Sequence, residues 1–120
     1  MRIFILVVLL VISVGFLSGC GKAEGFGKEL TERELSEIGD ILSNPDAYNG
    51  ETVKVEGKIV SECSTGCWID LKDEKGIVYV DMNPSGFAIP QKVGHKATVE
   101  GKVKTRDGKT MIIGEGVQIK

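Results

Sequence analysis

The sequence predicts a mainly β protein, a small closed barrel of five strands preceded by one short amphipathic helix. Three observations point there. From Glu51 onward, apolar and polar side chains alternate with the period of half-buried strands, in runs separated by turn residues. Gly57 and Gly101 fall inside two of those runs, where glycine marks a bulge or a sharp bend that takes a strand around a barrel corner. A break at Asn83-Pro84-Ser85-Gly86 separates the third run from the fourth.

The elements follow in order. Thr31-Glu32-Arg33-Glu34 fits a capping box, in which hydroxyl and carboxylate satisfy the orphan amides of a helix start. Leu35, Ile38, Ile41 and Leu42 make one apolar stripe at helical spacing and Pro45 ends it, so a helix is expected over residues 31–45. So short a stripe is unstable alone and needs the β domain of residues 50–120 to lie on. In the first strand Val53, Val55, Gly57 and Ile59 alternate with Lys54, Glu56 and Lys58. Cys67 to Leu71 is the second, with Ile69 and Leu71 on one face, and Ile77 to Met82 is the third, after the turn Asp73-Glu74-Lys75-Gly76. Phe87 to Val93 reads as irregular. His95 to Lys104 is the fourth strand, Asp107-Gly108 is a hairpin signal, and Thr110 to Ile119 is the fifth. The segment from Gly50 to Ile59 echoes that from Gly94 to Val103 at an offset of 44 residues, which similar local demands on two strands explain better than a duplication.

The start of the chain is an address. Arg2 is followed by an apolar run from Ile3 to Phe16, about 14 residues broken only by Ser13 and Gly15. A spanning helix needs roughly 20, whereas this length suits the core of a signal peptide. Leu17-Ser18-Gly19-Cys20 resembles the lipobox of prokaryotic lipoproteins. The resemblance implies a signal peptide over residues 1–19 and a diacylated Cys20 that opens the mature chain, anchors it to a membrane and leaves it facing the periplasm or cell exterior. An uncleaved N-terminal anchor is the alternative, and it puts residues 21–120 on the same side. Residues 20–30, with Gly21, Gly25, Gly27 and few apolar side chains, are expected as the lipidated cysteine and a flexible tether. The mature part has 101 residues, enough for one small domain, with 14 basic and 17 acidic side chains and a net charge of −3.

The strand order, the two bent strands and the break resemble the OB-fold, a five-stranded Greek-key barrel, over residues 50–120. More narrowly, Cys63-Ser64-Thr65-Gly66-Cys67-Trp68 is similar to the Cys-x-x-x-Gly-Cys-Trp signature of a family of exported OB-like domains of unknown function. Phe87-Ala88-Ile89-Pro90 and Gly94-His95-Lys96-Ala97-Thr98-Val99-Glu100-Gly101 add looser matches. The resemblance implies an OB-like barrel and an exported location, with no established chemistry. It also implies that Phe87 and Pro90 plug the bottom of the barrel.

Cys63 and Cys67 bracket Ser64-Thr65-Gly66, a three-residue loop whose glycine suits the left-handed region such loops require. That sets the cysteines opposite each other on adjacent strands, within disulfide reach. Parity puts both thiols on the apolar side, with Ile59 and Ile69, unless a bulge at Gly57 shifts the register. Three readings stay open. A structural disulfide would lock the hairpin tip, and its short loop makes it worth about 2 kcal/mol. A thiol-redox pair is the second, although neither lysine nor histidine adjoins the cysteines to lower a thiol pKa. A soft-metal site for Cu(I) or Zn(II) is the third, with His95, Met82 and Met111 as distant further donors. No other cofactor is expected.

Trp68, the only tryptophan, has the parity to face outward beside the cysteines, where an aromatic can stack on a base, sugar or peptide; capping one barrel end is the structural alternative. Tyr48 and Tyr79 read as boundary or core residues, and His95 as a surface histidine. Enzymes get little support, because no Ser/His/Asp arrangement, metal-spaced histidine set or phosphate loop is present. The leading expectation is a membrane-anchored, extracytoplasmic, non-catalytic binding module for an envelope protein or small ligand. A redox or soft-metal accessory using Cys63 and Cys67 is the alternative. Nucleic-acid binding by analogy of fold ranks last, since the net charge is negative and no basic stripe stands out. An acidic or mixed surface around Trp68 would count against it.

Overall fold

The alternating runs fold as strands, and the strands close on themselves. The computed structural model describes residues 23–32 and 34–120; the lipobox and Cys20 lie outside them. In chain order the elements are β1 (Glu24–Gly27), the short helices α1 (Ile38–Ser43) and α2 (Pro45–Tyr48), β2 (Thr52–Glu62), β3 (Trp68–Lys72), β4 (Ile77–Asp81), β5 (Lys96–Arg106) and β6 (Lys109–Ile119). A single 3-10 turn, Asn83–Ser85, follows β4. β2 pairs with β3, β3 with β4, β5 with β6 and β5 with β2, all antiparallel, while β4 runs parallel to β6. That ring of five is the OB-like Greek-key barrel the sequence predicts. Its interior is apolar, with Val55, Ile59, Ile69, Leu71, Val78, Val80, Val99 and Ile112 all fully buried.

Glycine lets the long strands bend. β2 pairs with β5 from Thr52 to Lys58 and with β3 from Lys58 onward, so it changes partners beside Gly57. A Cβ at Gly57 would lie 2.5 Å from the Lys72 carbonyl oxygen, and one at Gly101 would lie 2.0 Å from that of Ile113. No side chain fits at either place.

The echoing segments turn out to be antiparallel neighbours, with Val53 opposite Gly101 and Gly57 opposite Ala97. Their ends match as well. The Gly50 amide donates to the Val103 carbonyl and the Gly94 amide to that of Ile59, both at 2.8 Å. Both glycines have positive φ, +84° and +94°. Similar local demands are therefore met by a local two-fold.

Three expectations need correction. The tether is not free, because Glu24–Gly27 pair with β6 along an edge that β4 leaves open, Phe26 lying opposite Val117. The helix is shorter than residues 31–45 and starts at Ile38. Its leading amide is capped from the β3–β4 turn, where Asp73 Oδ2 accepts from the Ile38 N–H at 2.9 Å. Thr31 is committed elsewhere (below), so the capping box does not form and Leu35 stays 53% exposed, while Ile38 and Ile41 enter the core. Pro45 ends α1 but opens α2. Finally, Ile89 rather than Pro90 is buried; Pro90 is exposed, and Phe87 packs partly buried against the core and lies over Gly27.

Candidate binding face

A bulge decides which side chains reach the outer surface. In the β2–β3 pair, Ile59 lies opposite Leu71 but Ser61 lies opposite Asp70, so Val60 is the extra residue. The bulge reverses parity beyond it. Ser61 turns outward and its hydroxyl donates to Asp70 Oδ2 at 2.6 Å. Cys63, whose amide donates to the Trp68 carbonyl at 3.0 Å, follows Ser61 outward instead of facing the apolar side with Ile59. The bulge sits three residues past Gly57, so the anticipated shift occurs at a different place.

Cys63 and Cys67 are joined by a disulfide, with their Cα atoms 5.6 Å apart. The loop has the expected geometry, as Gly66 has φ +72° and its amide donates to the Cys63 carbonyl at 2.9 Å. It is also clamped from the segment before β5. The Ile89 amide donates to the Gly66 carbonyl at 3.1 Å, and Gln91 Nε2 donates to the carbonyls of Cys63 and Ser64 at 2.9 and 3.0 Å. Glu62 Oε1 accepts from the amides of Lys92 and Val93. The disulfide thus caps a hairpin that backbone bonds already fix.

Of the donors named for a soft metal, Met82 adjoins the hairpin, its amide donating to the Cys67 carbonyl at 3.0 Å. His95 is bonded through Nδ1 to the Lys120 carbonyl at 2.8 Å, Met82 is fully buried and Met111 lies on β6. Among the described residues no group of three or more His, Cys, Asp and Glu could hold a metal ion.

Next to the hairpin, β3, β4 and the first part of β6 present their outward side chains. Register sets Trp68 beside Asp81, Asp70 beside Tyr79, and Tyr79 beside Met111. The Trp68 and Tyr79 rings pack 5.4 Å apart and tilted by 31°. A groove of about 520 Å³ opens beside them, lined by Asp70, Ile77, Tyr79, Lys109, Thr110 and Met111. Ile77 is 50% and Tyr79 36% exposed, and leaving each so far in water forgoes roughly 1 kcal/mol of burial. Burial first, then the charges of Asp81 and Asp70, push the Tyr79 phenol above its ordinary pKa. Two carboxylates therefore flank the aromatic pair, while Lys109 lines the groove and Lys72 lies opposite Ile77, so the surface around the rings carries both signs.

Sequence reasoning named Trp68, Cys63 and Cys67 but read Tyr79 as boundary or core and passed over Ile77. The signal was there: Ile77, Tyr79 and Asp81 alternate with the buried Val78 and Val80.

Glu100 escaped notice too. It lies on the outer side of β5 yet is fully buried, because residues 28–32 cross over it. Its carboxylate accepts from the amides of Thr31 and Glu32 at 2.8 and 2.9 Å and from the Thr31 hydroxyl at 3.0 Å, with Lys28 Nζ 3.7 Å away. Burial pushes the carboxyl up, but those donors and the lysine outweigh it and hold the pKa below the ordinary glutamate value. Opposite Glu100, Gly116 leaves room for the crossing chain, since a Cβ there would lie 2.3 Å from the Lys28 carbonyl oxygen.

The arrangement defines an OB-fold module, a closed barrel with one open, aromatic outer face. Comparison with solved structures agrees. The hypothetical protein YgiW from E. coli matches with a TM-score of 0.57 at 16% identity, over 73% of this chain and 91% of that one. Asparaginyl-tRNA synthetase from Pyrococcus horikoshii, complexed with asparaginyl-adenylate, matches with a TM-score of 0.53 at 18% identity, over 61% of this chain but only 20% of that one. Identities this low speak for the fold alone. No protein-family model matches the chain, and no curated protein matches its sequence.

Proposed function

We propose that the protein is a membrane-anchored, extracytoplasmic binding module, held by a lipid on Cys20, that takes an envelope partner on the outer face of β3, β4 and β6. One observation carries the reading: Ile77 and Tyr79 stand exposed along a groove, with the partly buried Trp68 ring packed on Tyr79, between the disulfide hairpin and the β5–β6 turn. OB barrels commonly use this face and its flanking loops for ligands. The chemistry of the face selects among ligand types. Asp70 and Asp81 beside the rings suit a positive group laid over an aromatic, while Lys109 in the groove and Lys72 opposite Ile77 suit a carboxylate further along the same ligand. The ligand class that fits beside the rings is therefore a peptide segment carrying lysine or arginine, and nucleic acid ranks behind it because the net charge of the chain is −2. The cysteines act in this reading by fixing the hairpin that borders the face.

Trp68 is the only tryptophan in the chain, so its fluorescence reports on this face directly. Titration of the full chain in detergent with octalysine should change that emission saturably, and oligo-dT of similar length should not. A response to oligo-dT, or to neither probe, would overturn the assignment of ligand class.

A further inference from the structure

We infer that the barrel end formed by Lys92–Lys96, Lys120 and the start of β1 rests against an anionic membrane surface, an inference that relies on Cys20 carrying the lipid. The first argument is length. Gly21, Lys22 and Ala23 alone separate Cys20 from Glu24, where β1 is already paired to Ile119 of β6. Four Cα steps span at most about 14 Å. An anchored Cys20 therefore keeps this end of the barrel within about 14 Å of the lipid, whereas a ten-residue tether would have let it stand off further.

The second argument is charge. Glu24 lies opposite Ile119, and Ile119 lies opposite Ala97, so Lys96 and Lys120 sit within two strand spacings of the anchored strand. Backbone bonds hold them there: the Lys120 amide donates to the Lys96 carbonyl at 2.9 Å, and the Gly94 amide donates to that of Ile59 at 2.8 Å. Val93, 56% exposed, stands between Lys92 and Gly94 as an apolar tip among lysines. Glu56 pairs with Lys96, Glu62 accepts from the Lys92 and Val93 amides and Glu24 is a third acid here, against Lys58, Lys92, Lys96 and Lys120. Glu37, Asp40, Asp73 and Glu74 collect around α1 and the β3–β4 turn, which Lys72 enters two strand spacings from Lys96. A surface potential falls off over about 8 Å at physiological salt, comparable to the span left by the anchor. The lysines beside β1 are thus within its reach.

One consequence bears on the binding face. β3 begins at this same end, so Trp68 and the disulfide hairpin sit near the membrane while Ile77 and Lys109 point away from it.

The test uses the full chain, processed in its own membrane and reconstituted into vesicles of phosphatidylcholine and phosphatidylglycerol. Intact mass first reads whether Cys20 is acylated. Val93→Cys and Glu74→Cys variants, each labelled with a polarity-sensitive fluorophore, are then exposed to spin-labelled lipid. The expected result is quenching several-fold stronger at position 93 than at 74, weakened by salt. Each of Lys92→Gln, Lys96→Gln and Lys120→Gln should lower the docked-to-lifted ratio about fivefold. Equal, weak quenching at both positions with Cys20 acylated overturns the docking and leaves the anchor intact. An unmodified Cys20 overturns the anchored reading itself. Quenching at position 93 that persists in phosphatidylcholine alone overturns the role of the lysines.

Discussion

Two parts of the barrel's outer surface are treated in opposite ways. Across β5 and β6 the surface offers a carboxylate and a glycine, and residues 28–32 are laid over it until Glu100 is fully buried. Across β3, β4 and the start of β6 it offers Trp68, Tyr79, Ile77 and Met111, and a groove stays open beside them. Solubility alone would favour the reverse, with the carboxylate left in water and the apolar groups covered. The covered part is explained by position: three hydrogen bonds and one ion pair to a single carboxylate fix the path of the N-terminal arm from β1 to α1. The open part is the face that the proposed partner would cover.

Breaking the covered side should give the largest effect. Glu100→Gln replaces an acceptor-only carboxylate with an amide whose NH2 faces the same donors, at a fully buried site. A loss of about 2–3 kcal/mol in urea unfolding is expected, with the Trp68 response to octalysine unchanged. The pH dependence carries the same information. Glu100 has a depressed pKa when folded, so its contribution is complete above the ordinary glutamate value of 4.5 and is lost as pH falls through the lower folded value. The variant should lose that acidic limb of the stability profile. A cost below half a kcal/mol, with the limb intact, would mean that the arm is held by β1 alone.

Breaking the open side should separate binding from stability. Trp68→Ala removes a half-buried ring that stacks on Tyr79, and calorimetric affinity for octalysine should fall by about tenfold, as the loss of one aromatic contact does. Stability should fall by only about 1 kcal/mol. If stability falls by more than affinity, the ring is a structural cover and the comparison between the two sides fails.

The hairpin between them should show an intermediate effect. Paired Cys63→Ser and Cys67→Ser changes remove a cross-link over a loop of a few residues, worth about 2 kcal/mol at most. The Gly66–Ile89 and Gln91 bonds remain to hold the loop, so affinity should stay within twofold. Loss of binding on mild reduction of the native protein would instead make the thiols the active part.

How much of this could be read beforehand depends on how local the cause is. The strands of the barrel, the glycine bends and the left-handed Gly66 were legible because alternation and backbone sterics act within a few residues. The Val60 bulge was not, because a one-residue slip in pairing leaves no mark in the alternation, and it turned Cys63 to the other side. Thr31 shows a second kind of miss. Its local pattern fits a cap, but a carboxylate 69 residues away competes for its hydroxyl and amide and wins, while Asp73 takes over the capping of α1. The tether failed for a similar reason: glycines make Glu24–Gly27 flexible alone, but an open edge on β6 recruits them. Long-range partners, not local propensity, decided each of these.

The smallest expected effect is the sharpest test of the open face. Ile77 is half exposed and occupies the outward register of β4, where threonine has equal strand propensity. Ile77→Thr should leave unfolding within about 0.5 kcal/mol of the native protein. If the residue stands in the groove to be covered by a partner, the same substitution weakens octalysine-type ligands only slightly, because the lysine heads engage Asp70, Asp81 and the rings. It should weaken peptides that carry an apolar side chain next to the lysine several-fold, since burying an aliphatic group against Ile77 returns on the order of 1 kcal/mol. Equal effects on both peptides would assign Ile77 to the barrel rather than to the ligand, and would narrow the binding face to Trp68, Tyr79 and the two aspartates.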